Sequence, residues 1–164
     1  MNRRTMIMTT AAAATLPLAP TIGRAAEPIV VEMLNKDPDN PRNRYVFAPR
    51  VLSVQPGDTV LFKSVDRGHN SQSIKDMLPE GAEDWNSKIN DDFEMTFDTP
   101  GFYGYACTPH STVGMVGLIV VEGEGKMDNL ETAQGVRHRG KSKKAWEEIW
   151  EEAEAAGLLE ATTA

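Results

Sequence analysis

The sequence predicts a mainly β protein, a Greek-key β-sandwich with a C-terminal α-helical extension. From Pro28 to about Glu122, short runs rich in β-branched and aromatic residues are separated by turn residues. Seven or eight short strands within roughly 95 residues is the density of a two-sheet sandwich. After Gly125 the composition changes and apolar residues recur at helical spacing. The chain has 164 residues, 40% of them hydrophobic and 25% charged. That suits one folded domain with a single core and argues against a disordered chain.

The first segment, residues 1–25, reads as an export signal that is cleaved. Arg3 and Arg4 form a charged head, Met6 to Leu18 an apolar middle, and Gly23-Arg24-Ala25 the small-residue cleavage site, with the cut after Ala25. Its apolar run is short and broken by Pro17 and Pro20, so a soluble exported protein with no membrane anchor is expected. The pair Arg3-Arg4 with Met6-Ile7 also resembles a twin-arginine signal. The full chain carries a formal charge of −7; losing Arg3, Arg4 and Arg24 leaves 14 bases against 24 acids, a net of −10. Such a balance excludes nucleic acid as the expected partner, since phosphate binding needs a concentrated basic surface.

Residues 26–125 are expected to form the sandwich. The strand candidates are Ile29 to Leu34, Tyr45 to Phe47, Val51 to Val54, Thr59 to Val65, Phe93 to Phe97, Phe102 to Ala106 and Met115 to Val121. Turns fall at Pro38 to Pro41, Gln55-Pro56-Gly57-Asp58, Pro79-Glu80-Gly81 and Thr99-Pro100-Gly101. The segment Gly81 to Ser87 breaks the alternation and suggests a short helical turn. Residues 126–164 are expected to be helices packed on the same domain. Asp128 and Glu131 have the spacing of a capping box. From Lys143 to Leu159, Trp146, Ile149, Trp150, Ala153 and Gly157 share one stripe, with Lys and Glu on the other face. His138, between Arg137 and Arg139, reads as a surface residue.

The chemistry lies in a few residues. One cysteine rules out an internal disulfide, a four-cysteine zinc site and a four-thiolate iron–sulfur cluster; three histidines are too few for a multicopper oxidase. Cys107-Thr108-Pro109-His110 runs on to Met115 as C-x2-H-x4-M between the last two strand candidates, and His69 lies 38 residues upstream in Gly68-His69-Asn70. One thiolate, two imidazoles and one thioether suit a trigonal His2Cys copper site with a weak axial Met. Cys107 would donate strongly to copper, His69 and His110 would bind through neutral ring nitrogens, and Met115 would favour Cu(I). An enzyme would need an open coordination position, and these four ligands leave none, so no enzymatic activity is expected. Copper storage or delivery is the alternative to electron transfer.

The strings Met33-Leu34-Asn35-Lys36, Val54 to Val60, Gly68-His69-Asn70, Ser73 to Glu83 and Cys107 to His110 resemble the pseudoazurins, periplasmic members of the cupredoxins. The resemblance spans essentially all of the mature chain. It implies a small monomeric electron carrier in the periplasm with one type 1 copper, serving a reductase such as copper nitrite reductase or a cytochrome cd1 enzyme. It also implies that Asn70 pins the two ligand loops together through the Thr108 backbone, that Asn35 lies close to the site, and that the Gly68 carbonyl approaches copper opposite Met115.

His110, with Pro109 beside it, is the expected electron portal, within a mostly apolar patch suited to brief contact. The lysines that steer acidic partners in the family would correspond here to Lys36, Arg67 and Lys75, a local basic feature on an acidic molecule. Three features depart from the family pattern. The turn from Asp37 to Arg44 is longer and more charged, Tyr45 stands where another residue approaches the exposed histidine, and Lys141 to Glu154 runs from basic to acidic, against the helix dipole.

Overall fold

The computed structural model describes residues 27–161, so the export signal expected over 1–25 lies outside the described residues. Eight strands form two sheets. The first has the order β2-β1-β4-β6 and the second β3-β8-β7-β5. The strands are β1 Ile29–Lys36, β2 Arg44–Ala48, β3 Val51–Val54, β4 Asp58–Ser64, β5 Gln72–Ser73, β6 Phe93–Phe97, β7 Gly101–Ala106 and β8 Val116–Val121. β1 pairs parallel with β4 and β3 parallel with β8; the remaining pairs are antiparallel. The architecture is a cupredoxin-like sandwich with C-terminal helices α1 Leu130–Gly135 and α2 Ser142–Ala155.

Alternation along the strands builds the core. Val31 and Met33 of β1 and Val60 and Phe62 of β4 face Tyr103 and Tyr105 of β7 and Ile119 and Val121 of β8, the period-2 arrangement of two facing sheets. β8 has no exposed face: all six of its residues are buried. Val116, Leu118 and Val120 point away from the sandwich interior into a second cluster with Ala133, Trp146, Ile149 and Ala153. A strand covered on both sides reads as a continuous apolar run, which is what Val116-Gly117-Leu118-Ile119-Val120-Val121 is. α2 thus packs on the outer face of the second sheet through Trp146, Ile149 and Ala153. Arg50 holds it from the side, at 3.1 Å from Glu148 and 2.7 Å from Glu152. No helix of the described residues is long and apolar enough to cross a membrane.

Several local expectations are corrected. The segment 81–87 holds no helical turn. It runs alongside β5, with Ser73 N–H donating to the Trp85 carbonyl and Ser87 N–H to the Ser71 carbonyl; the 3-10 turn lies earlier, at Lys75–Met77. The Asp128–Glu131 capping box does not form. A 3-10 turn, Lys126–Asn129, precedes α1, and its cap Asn129 makes no side-chain capping bond. Asn129 instead clamps β7, accepting from Phe102 N–H and donating to the Phe102 carbonyl. Gly157 lies beyond α2 with φ +72, where a left-handed residue ends the helix, so it is not part of the buried stripe. His138 is half-buried rather than on the surface, its ring stacked on Trp146 at 5.0 Å. β5 escapes sequence analysis because two residues carry no periodicity.

Candidate metal centre

One end of the sandwich gathers the two loops that the sequence singles out. The first leaves β4 and turns at Gly68, whose φ of +96 lies in the left-handed region that favours glycine. The second joins β7 to β8 as a 3-10 turn, Thr108–Val113, ending in left-handed Gly114. Its ends are tied, since Cys107 N–H donates to the Met115 carbonyl at 3.0 Å. Within it, His110 N–H donates to the Cys107 carbonyl and Met115 N–H to the His110 carbonyl, each at 3.1 Å. A short loop wound on itself in this way holds Cys107, His110 and Met115 at one pole.

The Cys107 sulfur lies 3.7 Å from His69 Nδ1 and 3.5 Å from His110 Nδ1. All three atoms lie within 4.8 Å of one another. A small divalent ion bonded at about 2.3 Å to sulfur and about 2.0 Å to nitrogen, with ligands about 120° apart, needs an S···N separation of about 3.7 Å. Both S···N separations therefore suit a copper ion shared by Cys107 and the two imidazoles. Cys107, His69 and Met115 are 0% exposed, while His110 is half-buried.

The electrostatics favour ligation by neutral imidazoles. Burial lowers His69, with the neighbouring His110 adding to the effect and Asp66 opposing it. Burial also lowers His110. The Cys107 thiol is pushed up by burial and partly restored by the backbone N–H groups of Asn70 and His110. A metal must displace that proton, and the same two N–H groups then face a thiolate.

Around the donors, Asn70 joins the two loops. It accepts from Thr108 N–H at 2.8 Å and donates to Thr108 Oγ1 at 2.9 Å and to the Ser87 carbonyl at 3.1 Å. Thr108 Oγ1 in turn donates to Gln72 at 2.8 Å. Asn35 Oδ1 lies 3.1 Å from His69 Nε2, and Asn35 N–H donates to Asp66 at 2.7 Å. With Nε2 engaged there, Nδ1 is the ring nitrogen left facing Cys107. Pro109 and Val113 are exposed beside His110.

Tyr45 stands against the exposed histidine, as expected for its position. Its ring stacks on His110 with centroids 4.1 Å apart and planes at 4°, and the Arg44 guanidinium lies 5.7 Å from the Tyr45 centroid. Its φ of 58 is left-handed, a rare state for a bulky residue. Lys36, Arg67 and Lys75 are exposed, each next in sequence to an acid, Asp37, Asp66 and Asp76. The segment 137–144 holds five bases and no acid. Lys141 N–H donates to the Thr112 carbonyl at 3.0 Å, and Ser142 Oγ donates to the Ser111 carbonyl, so this basic run abuts the His110 loop. Only the fold brings these bases to the ligand loop.

A family model described as copper binding proteins of the plastocyanin/azurin family matches residues 35–122. A pseudoazurin of Methylorubrum extorquens is 41% identical over 129 residues, which cover 77% of this chain and 84% of the relative. One from Paracoccus pantotrophus is 42% identical over 126 residues, covering 76% and 83%. Among solved structures, a Sinorhizobium pseudoazurin superposes with a TM-score of 0.73 at 46% identity, covering 80% of this chain and all of that one.

Proposed function

Because this chain belongs to the pseudoazurins, within the plastocyanin/azurin family of copper-binding proteins, we propose that it is a periplasmic type 1 copper electron carrier with His69, Cys107, His110 and Met115 as its ligands. The observation that carries this reading is the convergence of two imidazole nitrogens and the Cys107 sulfur at one pole of the sandwich, with His69 and Cys107 fully buried. Bound copper supplies a one-electron couple between Cu(II) and Cu(I).

The residues of the chain do the rest. Asn70, Thr108 and Asn35 would hold the imidazoles and the Cys107 sulfur in place as an electron enters or leaves, so that little reorganisation would accompany transfer. Half-buried His110, with Pro109 and Val113 exposed around it, is the portal. A copper-delivery protein would need accessible ligands, whereas His69 and Cys107 are 0% exposed.

The partner in this reading is a periplasmic reductase, of the copper nitrite reductase or cytochrome cd1 class, meeting the protein at His110. Lys36, Arg67 and Lys75 contribute to steering, and the basic run at 137–144 beside the ligand loop adds to them. Steering by these bases predicts partner reduction that slows as salt is raised; a salt-independent rate would remove the steering claim.

The test of the metal site is direct. Mature protein given Cu(II) should develop an intense blue band, and Cys107→Ser should abolish it. Copper bound without that band, in wild-type protein, would refute the type 1 assignment.

A further inference from the structure

We propose that Asn90 is a positioning residue of the metal centre, clamping the Gly68–His69 segment so that the first histidine and the Gly68 carbonyl keep fixed places relative to Cys107. This rests on the copper reading and extends it to a residue on neither ligand loop. Asn90 lies between Ser87 and β6, in the run Lys88-Ile89-Asn90-Asp91-Asp92, which holds no histidine, cysteine or methionine.

Two hydrogen bonds make the clamp. Gly68 N–H donates to Asn90 Oδ1 at 2.6 Å, and Asn90 N–H donates to the His69 carbonyl at 2.9 Å. They bracket the peptide unit that joins Gly68 to His69, so neither residue can turn without breaking one of them. Both clamped partners are left-handed, Gly68 with φ +96 and Asn90 with φ +71. Glycine enters this region freely and asparagine is among the few other residues that tolerate it. The Asn90 conformation is the less readily adopted of the two, and its two hydrogen bonds to the Gly68–His69 unit hold it there.

What remains is telling. With Gly68 N–H and His69 C=O both engaged, the Gly68 carbonyl between them accepts no hydrogen bond among the described residues. It is an acceptor held in orientation but left free, one residue from the buried imidazole. A Cβ built on Gly68 would lie 4.0 Å from His110 Cε1, so this backbone unit borders the second imidazole as well. Groups that orient metal ligands from outside set affinity and electronic structure, and Asn90 is placed to do both through one peptide. Asp92 anchors the same loop separately, accepting from Ser64 N–H at 2.8 Å, which separates the clamp from general loop stability.

Three variants of the mature chain test this. Asn90→Gly keeps the left-handed backbone and its N–H donor but removes Oδ1. Asn90→Asp restores an acceptor of the same shape. Asp92→Ala loosens the loop without touching Gly68.

In the metal-free protein, amide hydrogen exchange at Gly68 should be about tenfold faster in Asn90→Gly, the effect of one net hydrogen bond. It should return to near the wild-type rate in Asn90→Asp and stay unchanged in Asp92→Ala. In the copper-loaded protein, Asn90→Gly should shift the intensity ratio of the visible charge-transfer bands and lose copper to a chelator about tenfold faster, with Asn90→Asp reversing both.

Asn90→Gly with wild-type exchange, band ratio and copper release would overturn the proposal. So would an Asp92→Ala variant that changes as much as Asn90→Gly, or an Asn90→Asp variant that rescues nothing. A colourless wild-type protein whose Gly68 protection still depends on Asn90 would defeat the copper reading and leave the clamp standing.

Discussion

Replacing Asn70 by alanine should cost the metal-free protein about 2–4 kcal/mol, a figure that follows from which partners are left stranded. Asn70 is 2% exposed and its amide makes four contacts, to Thr108 N–H, Thr108 Oγ1, the Ser87 carbonyl and Asn86 Oδ1. Asn86 and Thr108 are exposed, and the Thr108 hydroxyl keeps Gln72, so those two side chains recover cheaply. Ser87 is 8% exposed, and its carbonyl loses this partner in a place water reaches poorly. An unsatisfied buried group costs about 1–3 kcal/mol, and losing the Thr108 N–H bond adds about 1 kcal/mol.

Against a total stability of about 5–15 kcal/mol this is a large fraction. Urea unfolding monitored by tryptophan fluorescence should show the midpoint falling by about 1–2 M at unchanged slope. Asn70→Asp sharpens the test. Its carboxylate still accepts from Thr108 N–H but places oxygen against the Ser87 carbonyl and Asn86 Oδ1, so it should be no more stable than the alanine variant. A loss below about 1 kcal/mol for Asn70→Ala, or wild-type stability for Asn70→Asp, would refute the reasoning.

Two further outcomes are expected. Tyr45→Leu removes a ring whose negative face lies on His110. An aromatic pair is worth about 0.5–1.5 kcal/mol, and if all of it favoured Cu(II) the reduction potential would rise by at most about 65 mV; voltammetry showing a fall, or a larger rise, would contradict the stacking argument, and Tyr45→Phe should stay near wild type. In the metal-free protein, burial lowers His69, His110 and His138 from the ordinary value of 6.5. The unfolded chain therefore takes up protons first as pH falls, and stability present above about pH 6.5 is lost progressively as pH drops through the lower folded values. Denaturation at about pH 7.5 and 5 should show the decline, and His138→Gln should reduce its slope; equal stability at the two pH values would exclude this linkage.

Much of this fold was legible because its signals are local. β-branched and aromatic runs such as Thr59 to Val65 mark strands wherever they fall, and Gly57 and Gly101, both left-handed, stand at turns that their neighbours already announce. The capping-box expectation failed because Asp128 is taken into the 3-10 turn Lys126–Asn129, which leaves Asn129 at the cap position of α1, where its side chain clamps Phe102 instead. The helical turn expected at 81–87 failed because pairing with Ser71 and Ser73 outweighs local preference. His138 reads as exposed between two arginines, yet Trp146 on the following helix supplies a surface for its ring.

The same division runs through the site. Cys107, His110 and Met115 fall within nine residues, so residue type and spacing alone define three of the donors and the soft character of the set. Residue type and order already state which atoms are available and that they suit copper, because ligand chemistry and loop length are covalent properties. The meeting of His69 with Cys107 across 38 residues, the parallel stacking of Tyr45 on His110 and the clamp that Asn90 closes on the Gly68–His69 segment come from the packing of the folded chain. Those contacts join segments whose separation in the chain carries no periodic signal, and they exist only once two sheets have packed and brought the loop ends to one pole.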